Sequence, residues 1–330
     1  KNQEISGRYI RQKDIQVLLD KLGEEFSLKE IGASVLGKPI NSIQFGNGPV
    51  KILAWSQMHG NESTTTKAVF DLLNYMNKYK ESELVKSILN NCSFCIIPML
   101  NPDGAEAYTR VNANKIDLNR DAQDLSQPES RILRKQFDNF QPDFCLNLHD
   151  QRTIFSAGDK AESAVLSFLT PSMDKDRQIL PSRIKSMQLI AKIASDLSEL
   201  LPGRIGRYDD GFNINCTGDT FQSTKTPTIL FEAGHFPEDY QREESRKYVF
   251  LALISVLKGI SEESFKDIDY RDYENIPENK KLFNDIILRE AKTENGVVDI
   301  AMQYKEGVKD EKVMFLPEIE KIEPKIDKFA

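Results

Sequence analysis

The stretch VKILAWSQMHGNESTTTKAVF, residues 50–70, combines a strand, a tight turn and the start of a helix. Residues 50–58 form a continuous apolar run of the length expected for a buried strand, whereas apolar side chains recur at helical spacing over residues 63–79. Between them, His59 follows the apolar run and Glu62 stands three positions later. The stretch therefore predicts a strand-to-helix crossing that places a histidine and a carboxylate at its turn.

The same alternation continues along the chain. Further apolar runs that predict buried strands lie at residues 92–100, 143–150 and 226–234. The other segments with helical spacing are residues 13–26, 128–140, 184–201 and 238–259. Alternating strands and helices are typical of an α/β domain, and we predict a mixed, largely parallel central sheet covered by helices on both faces. Such sheets bind ligands just beyond the carboxyl ends of their strands.

The character of the sequence changes after about residue 262. A charged, Pro-containing segment gives way to short strand-like runs separated by charges and glycine. We therefore predict two parts, a main α/β domain over residues 1–261 and a linker with a small β-rich C-terminal appendage over residues 262–330.

Charge and hydropathy narrow the kind of partner. The 330-residue chain has a formal net charge of −7, which argues against a nucleic-acid binder because phosphate backbones are held by concentrated lysine and arginine. The longest apolar stretch, residues 248–257, is about half the length needed to cross a bilayer and predicts a buried helix. We expect a small-molecule partner rather than nucleic acid or a membrane. The polar first residues show no export signal, so the cytoplasm is the expected compartment.

The four cysteines are too few to form a disulfide framework in a chain of this length. Cys92 and Cys95 form a CxxC, but the surrounding residues predict a strand and no second cysteine pair completes a zinc site. We interpret the cysteines as core thiols, with a redox or metal-binding CxxC as the alternative.

Two of the three histidines stand where strands are predicted to end. His59 and Glu62 form an HxxE motif, and His149 ends the apolar run LNLH on the same rim of the predicted sheet. Imidazole and carboxylate both suit zinc, and a catalytic zinc site takes three protein ligands with one position open. For each histidine alone, the alternative is a hydrogen-bonded structural residue. Together, the three residues predict a zinc site.

The loop after the second apolar run is rich in planar groups that donate hydrogen bonds. Arg110, Asn119 and Arg120 lie within residues 101–121, and guanidinium groups bind carboxylates through paired hydrogen bonds. We predict a clamp for an acidic group of the substrate. The alternative is a surface salt bridge of Arg120 with Asp117 or Asp121.

Glu232 ends a very apolar predicted strand. Desolvation there is expected to raise the pKa of its carboxyl group, which suits a general base that acts near neutral pH. The alternatives are a helix N-cap or a buried salt bridge.

These elements, in this order, resemble the zinc carboxypeptidase family. The resemblance rests on HxxE at residues 59–62, NPDG at 101–104, TRVNANKIDLNRD at 109–121, and the strand-end residues His149 and Glu232. The family's fold matches the predicted sheet, and its chemistry is the hydrolysis of an amide by zinc-activated water.

The resemblance implies a complete hydrolytic site with one zinc ion per chain. The implied zinc ligands are His59, Glu62 and His149, the general base and acid is Glu232, the residue that polarises the scissile carbonyl is Arg110, and the clamp on the terminal carboxylate is Asn119 with Arg120.

Three further residues are candidates for this site. Tyr208 is a candidate for the tyrosine that often closes over the substrate in the family, with a plain loop tyrosine as the alternative. Asp219 lies in the segment that usually sets side-chain specificity, where it could pair with an amino group, as in murein-peptide amidases, or simply form a turn. His235 could influence the base or have a packing or capping role.

We therefore predict a zinc-dependent metallocarboxypeptidase that hydrolyses the C-terminal amide bond of a small peptide with a free carboxylate. The alternatives within the enzymes are a murein-peptide amidase and an N-acyl amino acid deacylase of the aspartoacylase type, which shares the HxxE and DLNR features. A non-catalytic binding protein is the third alternative.

Overall fold

The computed structural model of the protein describes residues 1–294 and 296–330. The strands, numbered in chain order, are β1 (Ser27–Ala33), β2 (Pro39–Phe45), β3 (Val50–Ser56), β4 (Cys92–Ile97), β5 (Phe144–Asp150), β6 (Phe155–Ala157), β7 (Leu166–Leu169), β8 (Ile205–Arg207), β9 (Thr228–Ala233), β10 (Asn279–Lys281), β11 (Ile286–Thr293), β12 (Gly296–Lys309) and β13 (Lys312–Glu323). The α-helices are α1 (Gln12–Leu19), α2 (Thr64–Lys78), α3 (Glu83–Asn91), α4 (Pro102–Ala107), α5 (Pro128–Phe140), α6 (Pro181–Leu197), α7 (Thr217–Ser223) and α8 (Glu243–Ser261).

A mixed eight-stranded sheet forms the centre of the molecule, with the strand order β1-β2-β4-β3-β5-β9-β7-β8. Its four middle strands, β4, β3, β5 and β9, are parallel to one another, while β1 and β2 add an antiparallel edge. The predicted α/β architecture with a largely parallel sheet is confirmed. The carboxyl ends of β3, β5 and β9 consequently meet at one rim.

Hydrophobic cores on both faces of the sheet explain why its middle strands are apolar without alternation. Ile52 and Ala54 of β3 pack into a core with α1, α2, α3, α6 and α8, whereas Leu53 and Trp55 pack into a second core with α5 and α7. The Trp55 ring meets Phe221 of α7 edge-on, with 5.4 Å between the ring centroids. Burying one such side chain contributes about 1.5–3 kcal/mol, so both layers stabilise the sheet that carries the site.

Two local predictions differ from the structure. The helix predicted over residues 13–26 ends at Leu19, since Gly23 disfavours its continuation and Phe26 beyond it packs against Phe45 of β2. The NPDG turn at residues 101–104 is instead the capped start of α4. There Pro102 is the first helical residue and Asn101 Oδ1 accepts a hydrogen bond from the Gly104 amide at 2.8 Å.

Residues after α8 form the β-rich region that the sequence predicts. Strands β11, β12 and β13 make a three-stranded antiparallel sheet, and β10 pairs with β6 of the preceding part of the chain. On β12, Glu306 accepts hydrogen bonds from Arg8 Nη2 at 3.0 Å and from Tyr108 Oη at 2.6 Å. The C-terminal sheet therefore packs directly on the N-terminal part of the chain. The division at residue 261 stays a prediction.

The apolar run at residues 248–257 lies inside α8, as predicted. None of the helices in the described ranges combines the length and the apolar character that a membrane crossing requires. All four cysteines are free. Burial raises the pKa of Cys92 to about 12 and that of Cys95 to about 11, so both thiols of the CxxC stay protonated, as core thiols do.

Candidate metal centre

Three of the predicted side chains meet at the rim where β3 and β5 end. His59 Nδ1 lies 2.8 Å from Glu62 Oε1, and His149 Nδ1 lies 2.9 Å from Glu62 Oε2. The two Nδ1 atoms are 3.0 Å apart. The ligand atoms of these residues, taken one from each, lie within 4.8 Å of one another, and all three side chains are buried. The HxxE motif and the distant histidine thus form one cluster.

The backbone around the cluster explains its position. A Cβ atom on Gly60 would lie 1.9 Å from the carbonyl carbon of Gly104, so only glycine lets the turn after β3 contact the start of α4. Next to His149, Asp150 accepts hydrogen bonds from the amides of Thr64 and Thr65 at the start of α2. This contact satisfies amides at the helix N-terminus and joins β5 to the helix that follows the HxxE turn.

The chemistry of these donors fits a zinc ion. Two imidazole nitrogens and one carboxylate are a common ligand set of catalytic zinc sites. Burial lowers the pKa of His149, which keeps its ring neutral, as a metal ligand must be. Its Nε2 is buried without a hydrogen-bond partner among the described residues, so the protein contacts of this ring are those of Nδ1 within the cluster. The residues present therefore suit the metal that the motif predicts.

Asp117 supports the cluster from outside. Its Oδ1 lies 3.0 Å from His59 Nε2, and its Oδ2 accepts a hydrogen bond from Arg110 Nε at 3.0 Å. Burial alone would raise the pKa of Asp117, but its hydrogen bonds with His59 and Arg110 hold it below the usual range. The sequence suggested Asp117 only as a salt-bridge partner of Arg120. Within the described residues, Arg120 instead donates to the Asn119 carbonyl, and it has no ion pair.

Nine of the ten candidate site residues line one cavity of about 390 Å³. They are His59, Glu62, Arg110, Asn119, Arg120, His149, Tyr208, Asp219 and Glu232. The metal-ligand cluster, the candidate base and the planar donors therefore share one space that a small substrate can enter. The roles assigned to these residues stay predictions.

Glu232 lies beside the cluster. In the parallel pair of β5 and β9 it is the residue opposite His149, and its side chain is half-buried. Burial raises the pKa of its carboxyl group well above the usual value, and the nearby carboxylates of Glu62 and Asp150 raise it further. In the described part of the chain this carboxylate has neither an ion pair nor a capping hydrogen bond, the two alternatives that the sequence left open.

Tyr208 lines the same cavity as the cluster. Its hydroxyl donates to Gln151 Oε1 at 2.8 Å, and its ring packs edge-on against Phe155 of β6. His235 lies elsewhere, with its ring 4.8 Å from that of Tyr240, and it does not line the cavity. Burial lowers the pKa of His235 to about 3, which agrees with a packing role.

Two buried residues with oxygen acceptors, Asp219 and Asn147, also line the cavity. Asp219, in the first turn of α7, accepts a hydrogen bond from the Asn213 amide at 3.1 Å, and desolvation raises its pKa to about 6. Asn147 of β5 is only 2% exposed, yet its Oδ1 has no hydrogen-bond partner in the described ranges. The sequence did not single out Asn147. Its only signal was a polar residue inside an apolar strand.

Comparison with known proteins finds one family model that matches the chain. A family model described as zinc carboxypeptidase matches residues 13–167, which contain all three residues of the His-Glu-His cluster. These residues, just under half of the chain, are similar to the zinc carboxypeptidase family. This family uses zinc, in agreement with the donor set of the cluster. Glu232 lies beyond the match.

Individual zinc carboxypeptidases and related peptidases resemble the chain over shorter stretches. Carboxypeptidase SOL1 of Arabidopsis thaliana is 30% identical over 151 residues, which are 39% of this chain and 31% of that protein. Gamma-D-glutamyl-L-diamino acid endopeptidase 1 of Lysinibacillus sphaericus is 34% identical over 80 residues, which are 22% of this chain and 20% of that protein. The alignments thus span less than a third of each of these curated relatives.

Solved structures show the fold over a larger part of the chain. A metallo-carboxypeptidase from Pseudomonas aeruginosa, in complex with (2-guanidinoethylmercapto)succinic acid, superposes with a TM-score of 0.61 at 16% identity. The superposition covers 76% of this chain and 69% of that one. The mixed sheet and its helices are therefore those of the carboxypeptidase fold.

Proposed function

We propose that the protein is a zinc-dependent carboxypeptidase that hydrolyses the C-terminal amide bond of a small peptide. The observation that carries this proposal is the His59–Glu62–His149 cluster, which shares one cavity with the unpaired, half-buried carboxylate of Glu232. A protein that only binds peptides has no physical need for a carboxylate of raised pKa beside such a cluster.

His59, Glu62 and His149 would hold one zinc ion per chain. When bound there, zinc supplies a Lewis acid that polarises the amide carbonyl and lowers the pKa of water. Asp117 fixes the ring of His59 through Nε2, so that Nδ1 is the nitrogen that faces the cluster.

Glu232 is the proposed general base and acid. Its raised pKa means that the carboxylate accepts a proton near neutral pH more readily than an exposed glutamate. It can therefore take a proton from the attacking water and deliver it to the leaving amine. Half-burial beside the cavity keeps the group accessible to both.

Arg110 is the proposed electrophilic partner of the scissile carbonyl. Its Nη1 donates to Glu62 Oε1 at 3.3 Å and its Nε donates to Asp117, so its guanidinium is held at the edge of the cluster. A fixed positive charge there stabilises negative charge that develops on the carbonyl oxygen during attack.

Asn119 and Arg120 are the proposed clamp for the terminal carboxylate. The short 3₁₀ helix Leu118–Arg120 presents both side chains to the cavity. Asn119 Oδ1 accepts a hydrogen bond from the Thr217 amide at 3.1 Å, which leaves its amide nitrogen to donate to the substrate. An amide N–H and a guanidinium are suitable donors for a carboxylate.

The acceptors in the cavity lining favour a substrate with an amino-bearing side chain. Asp219 and Asn147 both bring buried oxygen acceptors to the cavity lining, and Asn147 Oδ1, which has no donor among the described residues, is costly to leave unpaired. An ammonium group on the C-terminal residue of the substrate would satisfy them. A murein peptide that ends in a diamino acid meets this condition, and the related Lysinibacillus endopeptidase is named for that class of residue. Murein-peptide hydrolysis is therefore the second candidate function.

The direct test is hydrolysis by the zinc-loaded protein. The substrate panel contains peptides ending in lysine or leucine, a murein peptide ending in diaminopimelate, and N-acetyl amino acids. We expect the peptides to be cleaved, and Glu232→Gln to reduce kcat by about 10²–10⁴-fold while zinc stays bound. Glu238→Gln, an exposed residue nearby, is the control and should match the wild type. Cleavage of the N-acetyl amino acids alone would favour the deacylase, and bound zinc without turnover would favour a binding protein.

A further inference from the structure

The C-terminal region contacts residues that neighbour Tyr208 in the cavity wall. Strand β10 pairs with β6, where Asn279 is opposite Ala157. Just before β10, the Pro277 carbonyl accepts a hydrogen bond from the amide of Arg207 at 2.9 Å. The segment around residue 279 is therefore bound to the residue before Tyr208 and to the strand that packs against the Tyr208 ring.

A side-chain network joins this segment to the cavity. Asn279 Nδ2 donates to Gln151 Oε1 at 3.1 Å, and the same oxygen accepts the hydrogen bond from Tyr208 Oη. Asn279 Nδ2 also donates to Ser167 Oγ at 2.9 Å. Gln151 is buried and lines the cavity, so it connects the C-terminal segment to the tyrosine.

The partners of Gln151 determine the direction of each hydrogen bond. Its Nε2 donates to the Ala164 carbonyl at 2.8 Å, and its Oε1 faces the amide nitrogen of Asn279. A flipped Gln151 amide would place two NH₂ groups against each other and an oxygen against a carbonyl. The hydroxyl proton of Tyr208 is thus committed to Gln151, so toward any other group the phenol oxygen is an acceptor.

Close packing fixes Asn279 itself. A Cβ atom on Gly206 would lie 1.9 Å from Asn279 Oδ1, so the backbone of β8 contacts the side-chain amide directly. The carboxamide therefore has little freedom to leave Gln151.

We propose that Asn279 is a positioning residue that holds Tyr208 over the substrate through Gln151, so that the region after α8 contributes to the active site. This inference rests on the proposed function, because Tyr208 is taken to contact a peptide substrate. In chemical terms, Asn279, Gln151 and Tyr208 form a chain of neutral hydrogen bonds. This chain orients the phenol so that its oxygen accepts a hydrogen bond from the substrate.

A double-mutant cycle tests the proposal. Asn279→Ala and Tyr208→Phe should each lower kcat/KM by about 3- to 10-fold, the usual range for one hydrogen bond, and the double variant should lose little more than either alone. Asn279→Asp keeps the size of the side chain but cannot donate to Gln151, and should behave like Asn279→Ala. Lys281→Ala, an exposed change on the same strand, is the control and should match the wild type.

Two results would overturn the proposal. One is wild-type kcat/KM in both Asn279 variants while Tyr208→Phe is impaired. The other is full additivity in the double variant.

Hydrogen exchange of the backbone amides of residues 205–211 tests this proposal separately from the proposed function, because the measurement needs no turnover. Both Asn279 variants should speed exchange there, and unchanged exchange would contradict the positioning role even if the wild type proved inactive on every substrate.

Discussion

The carboxylate of Asp117 lies 3.0 Å from Nε2 of His59, on the side of the ring opposite the nitrogen that faces Glu62 and His149. The same carboxylate binds Arg110, so one residue fixes both a candidate zinc ligand and the candidate carbonyl-polarising group. Carboxylates that bind the outer nitrogen of a ligating histidine set its tautomer and orientation.

The first prediction follows from this contact. Asp117→Asn should weaken zinc binding by about 10- to 100-fold, because the ring of His59 loses the charged acceptor that orients it. Competition with a coloured chelator measures the affinity. Asp124→Asn, an exposed change in the same loop, should leave it unchanged. Equal zinc affinities of Asp117→Asn and the wild type would show that Asp117 does not support zinc binding.

The second prediction concerns the pH dependence of substrate preference. Because the pKa of Asp219 is raised to about 6, this carboxylate is mostly protonated at pH 5 and mostly ionised at pH 7. The ratio of kcat/KM for a lysine-ended peptide to that for a leucine-ended peptide should therefore rise as the pH increases through 6. Titrating groups that affect both peptides equally cancel in this ratio. Asp219→Asn should flatten this ratio, and a wild-type ratio that stays constant from pH 5 to pH 8 would exclude the assigned role.

The third prediction concerns the buried ion pair that joins α2 to α8. Arg246 donates to Asp71 from Nε at 2.6 Å and from Nη2 at 2.7 Å, and both side chains are at most 5% exposed. Asp71→Asn would leave the buried guanidinium without its main counter-charge, so the free energy of unfolding in urea should fall by about 3–5 kcal/mol. Lys247→Ala, which breaks an exposed pair on the same helix, should change it by less than about 1 kcal/mol. Similar stabilities for the two variants would show that the buried pair contributes little.

The fourth prediction concerns the contact of the C-terminal sheet. Glu306 is the acceptor for the buried Arg8 and for Tyr108, so Glu306→Gln should lower the free energy of unfolding by about 1.5–3 kcal/mol. The matched control is Lys305→Ala, because Lys305 precedes Glu306 on β12 and its side chain is exposed. If unfolding showed two transitions and Glu306→Gln moved neither, the sheet would be an independent unit rather than part of the packed structure.

Residues 50–70 illustrate what the sequence alone could predict. The apolar run of β3 and the periodicity of α2 are local patterns, and the rule that parallel strands expose ligands at their carboxyl ends extends them to His149. These patterns were enough to predict the sheet and to select side chains that the structure brings into one cavity.

Other features depend on contacts between distant segments. Asp117 and Asn147 gain their importance only from neighbours that fold next to them, and nothing in their local sequence separates them from ordinary polar residues. Strands β6, β7 and β8 have three or four residues each, too few to show a periodicity. The contact of Asn279 with Gln151 joins residues 128 positions apart, which no local pattern indicates.

The most direct test of the account is the position of zinc in crystals of the zinc-loaded protein, measured by anomalous diffraction at the zinc absorption edge. The account predicts one strong peak per chain, about 2.0–2.2 Å from His59 Nδ1, His149 Nδ1 and a carboxylate oxygen of Glu62. A peak elsewhere, or no peak between these three side chains at full zinc loading, would contradict it.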